Sequence, residues 1–456
     1  VSLSINVAET INRARMSGFQ IRILVICTAV LIVDGFDAQA LGFAIPSLSA
    51  EWKVPPGAFT TAATVGVAGL LVGSLLVGAL SDRLGRRPVT LAGLALITVT
   101  MFATAGAGSM EWLIALRFLT SAAVGALTPN LIALVSEFSP QRSRLFTATI
   151  AISGFSLGGV LGGFLAAWLV PLTGWHGVFI AGGLITLVTG LGVLFGVPES
   201  VRFLTLAGNQ EAVRRLMIRI TGQNVSDGTT FVLAEEKTGR ASLAALFDRK
   251  RAVLTALLWL TFFMSLLVLY FGANWLPTIL AGAGFTASFA LIGTSIYNMA
   301  MVLGALLSGF TADKVKRPEL VLGGAYAGAF VTFLCMPLVS GSPGLLLVVL
   351  CFAGFFVQAG QASLAGFAGT LYPTSIRATG LGWAFGAGRI GSIVGPLIGG
   401  VLIAASFGGV TILSMLAVPS AVASLAVTTI GLRKSGRVSE TDLKLEDGHA
   451  VGKAHS

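Results

Sequence analysis

Long apolar runs fill most of the chain and recur at intervals that fit membrane crossings. A spanning helix needs about 20 mainly apolar residues. Twelve such runs are present, at 22–47, 58–80, 88–107, 111–137, 145–169, 176–197, 252–280, 287–312, 319–340, 344–371, 378–404 and 408–431. One polar segment, 198–251, separates the sixth run from the seventh and contains "NQEAVRRLMIRITG". Asn209 is a natural N-cap there and Gly222 a stop, which predicts an amphipathic helix at the membrane interface. The pattern predicts an all-α integral membrane fold. Its parts are an N-terminal segment (1–21), a six-helix bundle (22–197), a linker (198–251), a second six-helix bundle (252–431) and a tail (432–456).

The basic residues set the orientation. Of 29 Lys and Arg, 26 fall on the side that holds both termini. Lys53 lies in an opposite loop, and Arg117 and Arg389 lie inside predicted spans. Positive charge gathers on the cytoplasmic side of membrane proteins, so both termini are predicted to be cytoplasmic. Arg13, Arg15 and Arg22 before the first run imitate a signal peptide, but no small-residue cleavage site follows cleanly. An uncleaved first helix is expected.

Topology therefore explains the net charge of +10 and sets nucleic acid aside as a partner. Only 11% of residues are charged and 55% are hydrophobic, against about 25% charged in a soluble domain. The solvent for most of the chain is the lipid bilayer. Cys27, Cys335 and Cys351 sit singly in apolar runs, and His176, His449 and His455 fall in loops or the tail. They offer neither a disulfide framework nor a metal spacing, and no cofactor or metal is expected.

The two halves repeat each other. "GSLLVGALSDRLGRR" (73–87) aligns with "GALLSGFTADKVKRP" (304–318), Pro140 and Arg144 with Pro373 and Arg377, and Gly154, Gly158 and Gly162 with Gly391, Gly395 and Gly399. The offsets are 231, 233 and 237, which points to a six-plus-six duplication. Parallel repeats with substrate bound between the halves are a transporter architecture, and a monomer suffices for it. In the short loops, Asp82, Arg86, Glu137 and Arg144 of the first half, with Asp313 and Arg377 of the second, are candidate gating residues. The alternative is an ordinary basic loop. "GAGRIG" (386–391) imitates a dinucleotide fingerprint, but it lies inside a span with no preceding strand, and close helix packing accounts for its glycines.

Charges inside the spans carry the chemistry. Asp34 lies about 18 Å along the first span, at about 1.5 Å per residue, and Asp37 shares its face. Arg117 and Arg389 lie within the fourth and eleventh spans. Each such charge costs roughly 3 kcal/mol on insertion scales, so partners or a wet cavity are expected. A structural ion pair is the plain alternative.

Desolvation disfavours the charged form of an aspartate at this depth, so it can load and release a proton. Asp34 is the expected proton carrier and Asp37 the expected partner of Arg117. An arginine stays protonated and presents a planar fork that fits a carboxylate. Together these residues suggest proton-coupled movement of an organic anion. Arg389, Phe36, Gln39, Arg117, Asn274, Tyr297, Gln358 and Trp383 are candidate substrate contacts, with packing or lipid contact as the alternative for the aromatic ones.

A narrower resemblance rests on "DGFD" in the first span, "RFLTSAAVGALTPNLIALVSEFSPQRSR", "NWLPTIL", "PESVRFL" and "YPTSIRATGLGWAFGAGRIGSIVGPLIGG". These stretches resemble the aromatic acid/proton symporter family of the major facilitator superfamily. The family usually has Pro where Val201 stands. The resemblance implies the major facilitator fold and uptake of a small aromatic acid (4-hydroxybenzoate, protocatechuate or benzoate type) across a bacterial inner membrane. It also implies roles for Asp34, Asp37, Arg117, Glu137 and Arg389. Other readings stay open: another organic anion, export of a hydrophobic compound, or a chemoreceptor without transport. An intramembrane enzyme would need a catalytic set at membrane depth, and no histidine is predicted there.

Overall fold

The computed structural model describes residues 4–222, 229–232, 246–247, 251–315, 317–372 and 374–433, without the side chains of 77–79, 82, 145, 310, 312–314, 374, 375 and 378. The side chains of the gating candidates Asp82 and Asp313 thus lie outside the described residues, as does the tail beyond 433.

A short strand, β1 (Ser4–Asn6), leads into α1 (Val7–Arg13), which Asn6 caps through its side chain. The first run of long helices is α2 (Gly18–Trp52), α3 (Thr60–Leu84), α4 (Arg86–Ala105), α5 (Met110–Phe138) and α6 (Arg144–Gly196). Next come α7 (Val201–Leu206), α8 (Gln210–Thr221) and β2 (Thr230–Val232), which pairs in parallel with β1. The second run is α9 (Ala252–Gly282), α10 (Ala287–Lys314), α11 (Pro318–Cys335), α12 (Pro343–Leu371) and α13 (Thr374–Ala404). A last apolar segment, Gly409–Arg433, opens with α14 (Gly409–Ser414).

Among the described residues, eleven helical segments are long and apolar enough to cross a membrane. The fifth accounts for two crossings. A straight helix of the 53 residues of α6 would run about 80 Å at about 1.5 Å per residue, far beyond a hydrocarbon core of about 30 Å. Gly174, at φ 65° and ψ −163°, breaks it, a conformation that a side chain would strain. The predicted fifth and sixth spans are therefore the two arms of α6, which makes twelve crossings among the described residues. The amphipathic segment forms α8 as its caps predict. Asn209 Oδ1 accepts from the Ala212 N–H at 3.1 Å, and Gly222 closes the helix at φ 69°. Val213, Leu216, Met217 and Ile220 form its buried face. Nothing in the hydropathy pattern predicted the β1–β2 pair, whose strands are three residues long.

Glycines set the closest helix approaches, and they do so twice. A Cβ on Gly73 would run into the Ala122 carbonyl, bringing α3 onto α5; one on Gly304 would run into the Phe355 carbonyl, bringing α10 onto α12. Likewise Gly154 and Gly158 seat α6 on the Thr28 and Ile32 carbonyls of α2, while Gly391 seats α13 on the Phe263 carbonyl of α9. Small residues that let backbones meet are the main packing device between membrane helices. The duplicated sequence therefore builds duplicated contacts.

By contacts the chain forms two units. The first comprises Val1–Lys237, Phe271–Val302 and Pro396–Ile412; the second comprises Thr238–Tyr270, Leu303–Gly395 and Leu413–Ser456. In the first, segments of the second repeat join the first repeat: Gly42 lies against the Ala273 and Asn274 carbonyls, and Gly57 against Ala404. The second has its own apolar core, which includes Leu258, Phe262, Tyr326, Leu364, Phe367 and Val427.

Candidate functional site

In the first unit the two aspartates of α2 point at α5 but meet different partners. Asp37 receives the guanidinium of Arg117: Nη1 donates to Oδ1 at 2.9 Å, and Nη2 donates to Oδ2 at 3.4 Å and to the Asp37 carbonyl at 3.0 Å. Their side chains are 0% and 4% exposed. A buried pair of this kind survives only when both charges are satisfied together. Asp34, also buried, accepts from the Thr128 hydroxyl. Thr128 was not among the predicted residues. It lies eleven residues beyond Arg117, about three helical turns, and so on the same face of α5.

The other predicted contacts of this unit are spread around the aspartates. Gln39 and Asn298 form a reciprocal amide pair: Asn298 Nδ2 donates to Gln39 Oε1 at 2.9 Å and Gln39 Nε2 to Asn298 Oδ1 at 3.3 Å. Asn274 and Tyr297 are buried. Phe36 is also buried, with its ring against Gly162 on one arm of α6 and Gly182 on the other. His176 stacks on Trp175 at 3.9 Å between centroids, and the Trp175 indole donates to Glu51 at 2.9 Å.

Two of the gating candidates, Arg86 and Glu137, meet where α3 turns into α4. Arg86 pairs with Glu137 at 2.9 Å, and the Ser200 hydroxyl donates to the second Glu137 oxygen at 2.5 Å. Glu199 Oε1 accepts from the backbone N–H groups of Arg86 at 2.8 Å and Arg87 at 3.2 Å. A carboxylate at a helix N-terminus satisfies orphan donors and matches the helix dipole. Sequence reasoning missed Glu199 as a partner; an acid beside Pro198 at the end of an apolar run was the available signal. Asn130 links the same turn, donating to the Arg86 carbonyl and the Thr90 hydroxyl, both at 2.8 Å. Arg144 is exposed at the start of α6.

In the second unit Arg389 is half-buried on α13, and its Nη1 donates to the Tyr270 phenol oxygen at 3.3 Å. Among the described residues no carboxylate lies within ion-pairing distance of Arg389. On α12, Gln361 accepts from the Ser265 hydroxyl at 2.5 Å. Gln358 keeps a buried Oε1 with no hydrogen-bond partner among the described residues. Trp383 is 48% exposed and stacks on Trp259 at 5.9 Å with an interplanar angle of 16°. Arg377 donates to the Tyr372 carbonyl at 3.3 Å. Among the described residues no three His, Cys, Asp or Glu side chains cluster in a way that could hold a metal.

Comparison with known proteins places this geometry. The Major Facilitator Superfamily model matches residues 27–317 and 258–451. A gallate transporter of Pseudomonas putida is 36% identical over 434 residues, covering 94% of this chain and 96% of that protein. The 4-hydroxybenzoate transporter PcaK of Acinetobacter baylyi is 34% identical over 429 residues, covering 93% of this chain and 94% of that one. Among solved structures, a partially occluded inward-open form of the xylose transporter XylE from E. coli superposes with a TM-score of 0.66 at 17% identity. That match covers 89% of this chain and 97% of the other, and it speaks for the fold alone. This multi-pass membrane protein belongs to the Major Facilitator Superfamily and, within it, to the family of aromatic-acid transporters.

Proposed function

We propose that the protein takes up a phenolic or benzoic acid anion together with protons, by alternating access, across the bacterial cytoplasmic membrane, with both termini inside. The observation that carries this reading is the unequal treatment of the two intramembrane arginines. Arg117 is matched by Asp37, whereas Arg389 has only a phenol hydroxyl among its described partners. An arginine left with its charge uncompensated is a receptor for a carboxylate. The relatives that transport gallate and 4-hydroxybenzoate support an aromatic acid as that carboxylate. In this reading Gln358 and Trp383 contact the same ligand, Trp383 through its exposed ring face. Within the first unit Gln39, Asn274 and Tyr297 are candidate polar contacts for substrate, while Phe36 holds α2 against both arms of α6.

Asp34 carries the proton and Asp37 holds Arg117. The energetics fit: an anion entering against an inside-negative potential works against about 2.3 kcal/mol per charge per 100 mV, and one proton cancels the charge of a monoanion. Arg86, Glu137 and the residues around them serve as the gate cluster at the α3–α4 turn, with Asp82, Arg144, Asp313 and Arg377 in the same role. The test is uptake of radiolabelled 4-hydroxybenzoate, gallate, protocatechuate and benzoate into proteoliposomes under an imposed pH gradient. At least one acid should accumulate above equilibrium, and a protonophore should abolish the accumulation. Uptake indifferent to the gradient would remove proton coupling. Binding without uptake of any acid would favour a receptor.

A further inference from the structure

The structure assigns Tyr270 as the residue that positions the Arg389 fork for a carboxylate, an assignment that rests on the reading of Arg389 as the anion receptor. Tyr270 lies on α9 and is 8% exposed. Its phenol oxygen is the acceptor at 3.3 Å from Arg389 Nη1. Three features make this more than an incidental contact.

First, the backbone fixes the distance between the two helices. Glycines flank Arg389 along α13: a Cβ on Gly388 would meet the Phe262 carbonyl and the Leu266 side chain, and one on Gly391 would overlap the Phe263 carbonyl. At these points α13 lies directly on α9. Tyr270 stands seven residues beyond Phe263, about two turns along α9, and so reaches the guanidinium from a fixed base.

Second, the engaged atom matters. A guanidinium offers two edges that can bind a carboxylate bidentately, Nη1–Nη2 and Nε–Nη2. Tyr270 holds Nη1, and among the described residues the Nε–Nη2 edge is left to receive both oxygens of a ligand. A long side chain otherwise gives up much rotamer freedom to form such a fork.

Third, the acceptor is neutral. A carboxylate in its place would fix the fork equally well but would compete with the substrate for it. The phenol orients Arg389 without compensating its charge.

The experiment is a double-mutant cycle on Tyr270→Phe and Arg389→Lys in reconstituted protein, with 4-hydroxybenzoate and gallate as probes and 4-hydroxybenzamide as a carboxylate-free competitor. Tyr270→Phe should raise KM about tenfold, the equivalent of one charge-assisted hydrogen bond, with maximal rate within about twofold. Discrimination between acid and amide should shrink in parallel. In the Arg389→Lys background the same change should cost almost nothing further, because no fork remains to position. Additive losses, or an unchanged KM in Tyr270→Phe, would overturn the assignment. If Arg389→Lys itself leaves affinity intact, the receptor reading falls instead. Should Tyr270→Phe fail to fold, 4-fluorophenylalanine at 270 keeps the ring and a para substituent and replaces the hydroxyl by a far weaker, uncharged acceptor. A raised KM then supports the assignment, and an unchanged KM overturns it.

Discussion

Two arginines sit at membrane depth in this chain, and they are treated in opposite ways. Arg117 is buried and spent on Asp37, which takes two bonds at its carboxylate and one at its carbonyl. Arg389 is half-buried, and among the described residues it is steadied by a tyrosine hydroxyl rather than an acid. A similar split runs through the two aspartates of α2. Asp37 meets a full positive charge, while Asp34 meets the hydroxyl of Thr128. In each pair of like residues, one member is held in an ion pair and the other meets a hydroxyl among its described partners. Under the proposed function that division separates charges that hold the fold from charges that serve transport, and it can be attacked from both sides.

Breaking the neutralised pair should have the largest effect. Asp37→Asn leaves Arg117 charged in a site that is almost fully buried, at a cost of about 3–5 kcal/mol. Thermal unfolding of the purified protein in detergent should show a large drop in Tm. The double variant Asp37→Asn with Arg117→Gln removes the stranded charge and should recover much of that loss. An unchanged Tm in the single variant would show that Asp37 does not hold the fold, and the contrast with Asp34 would collapse.

Asp34→Asn is the complementary experiment, with a smaller expected effect on stability and a selective one on function. The amide can still accept from Thr128, so Tm should move by less than about 1 kcal/mol equivalent. The side chain can no longer exchange a proton, so accumulation driven by a pH gradient should vanish while exchange of internal for external substrate persists. A variant that still concentrates substrate would move the proton elsewhere.

Much of this design was readable in the amino-acid order, for a physical reason. Charges at membrane depth are costly, so Asp34, Asp37, Arg117 and Arg389 stood out from the apolar runs around them, and the pairing of Asp37 with Arg117 followed from their chemistry. The twelve crossings were legible too, although a single helical stretch interrupted at Gly174 contains two of them. The neutral partners were not legible. Thr128 and Tyr270 are ordinary membrane-helix residues, and only the meeting of two helices makes them specific. The seat of Phe36 was not legible either: its ring lies against glycines on both arms of α6, a contact that only the fold reveals. The contact units were hidden for the same reason, since Phe271–Val302 and Pro396–Ile412 join the first unit although they belong to the second repeat.

The smallest predicted effect tests whether the rule for neutralised charges extends to the helix ends. Glu199 resembles Asp37 in being occupied, but its partners are backbone N–H groups at the start of α4 rather than a side-chain cation. An acid at that position is worth about 0.3–1 kcal/mol, and up to about 2 when partly buried. Glu199→Gln keeps an acceptor and removes the charge, so Tm should fall only slightly and Arg86–Glu137 should stay paired. Glu199→Ala removes both and should cost more, with a change in exchange rate if the α3–α4 turn works as a gate. The order of the three losses, Asp37→Asn above Glu199→Ala above Glu199→Gln, is the quantity to measure. An equal loss for both Glu199 variants would mean that charge, not hydrogen bonding, holds the turn. A loss matching that of Asp37→Asn would mean that the turn, too, depends on a fully matched ion pair, through Arg86.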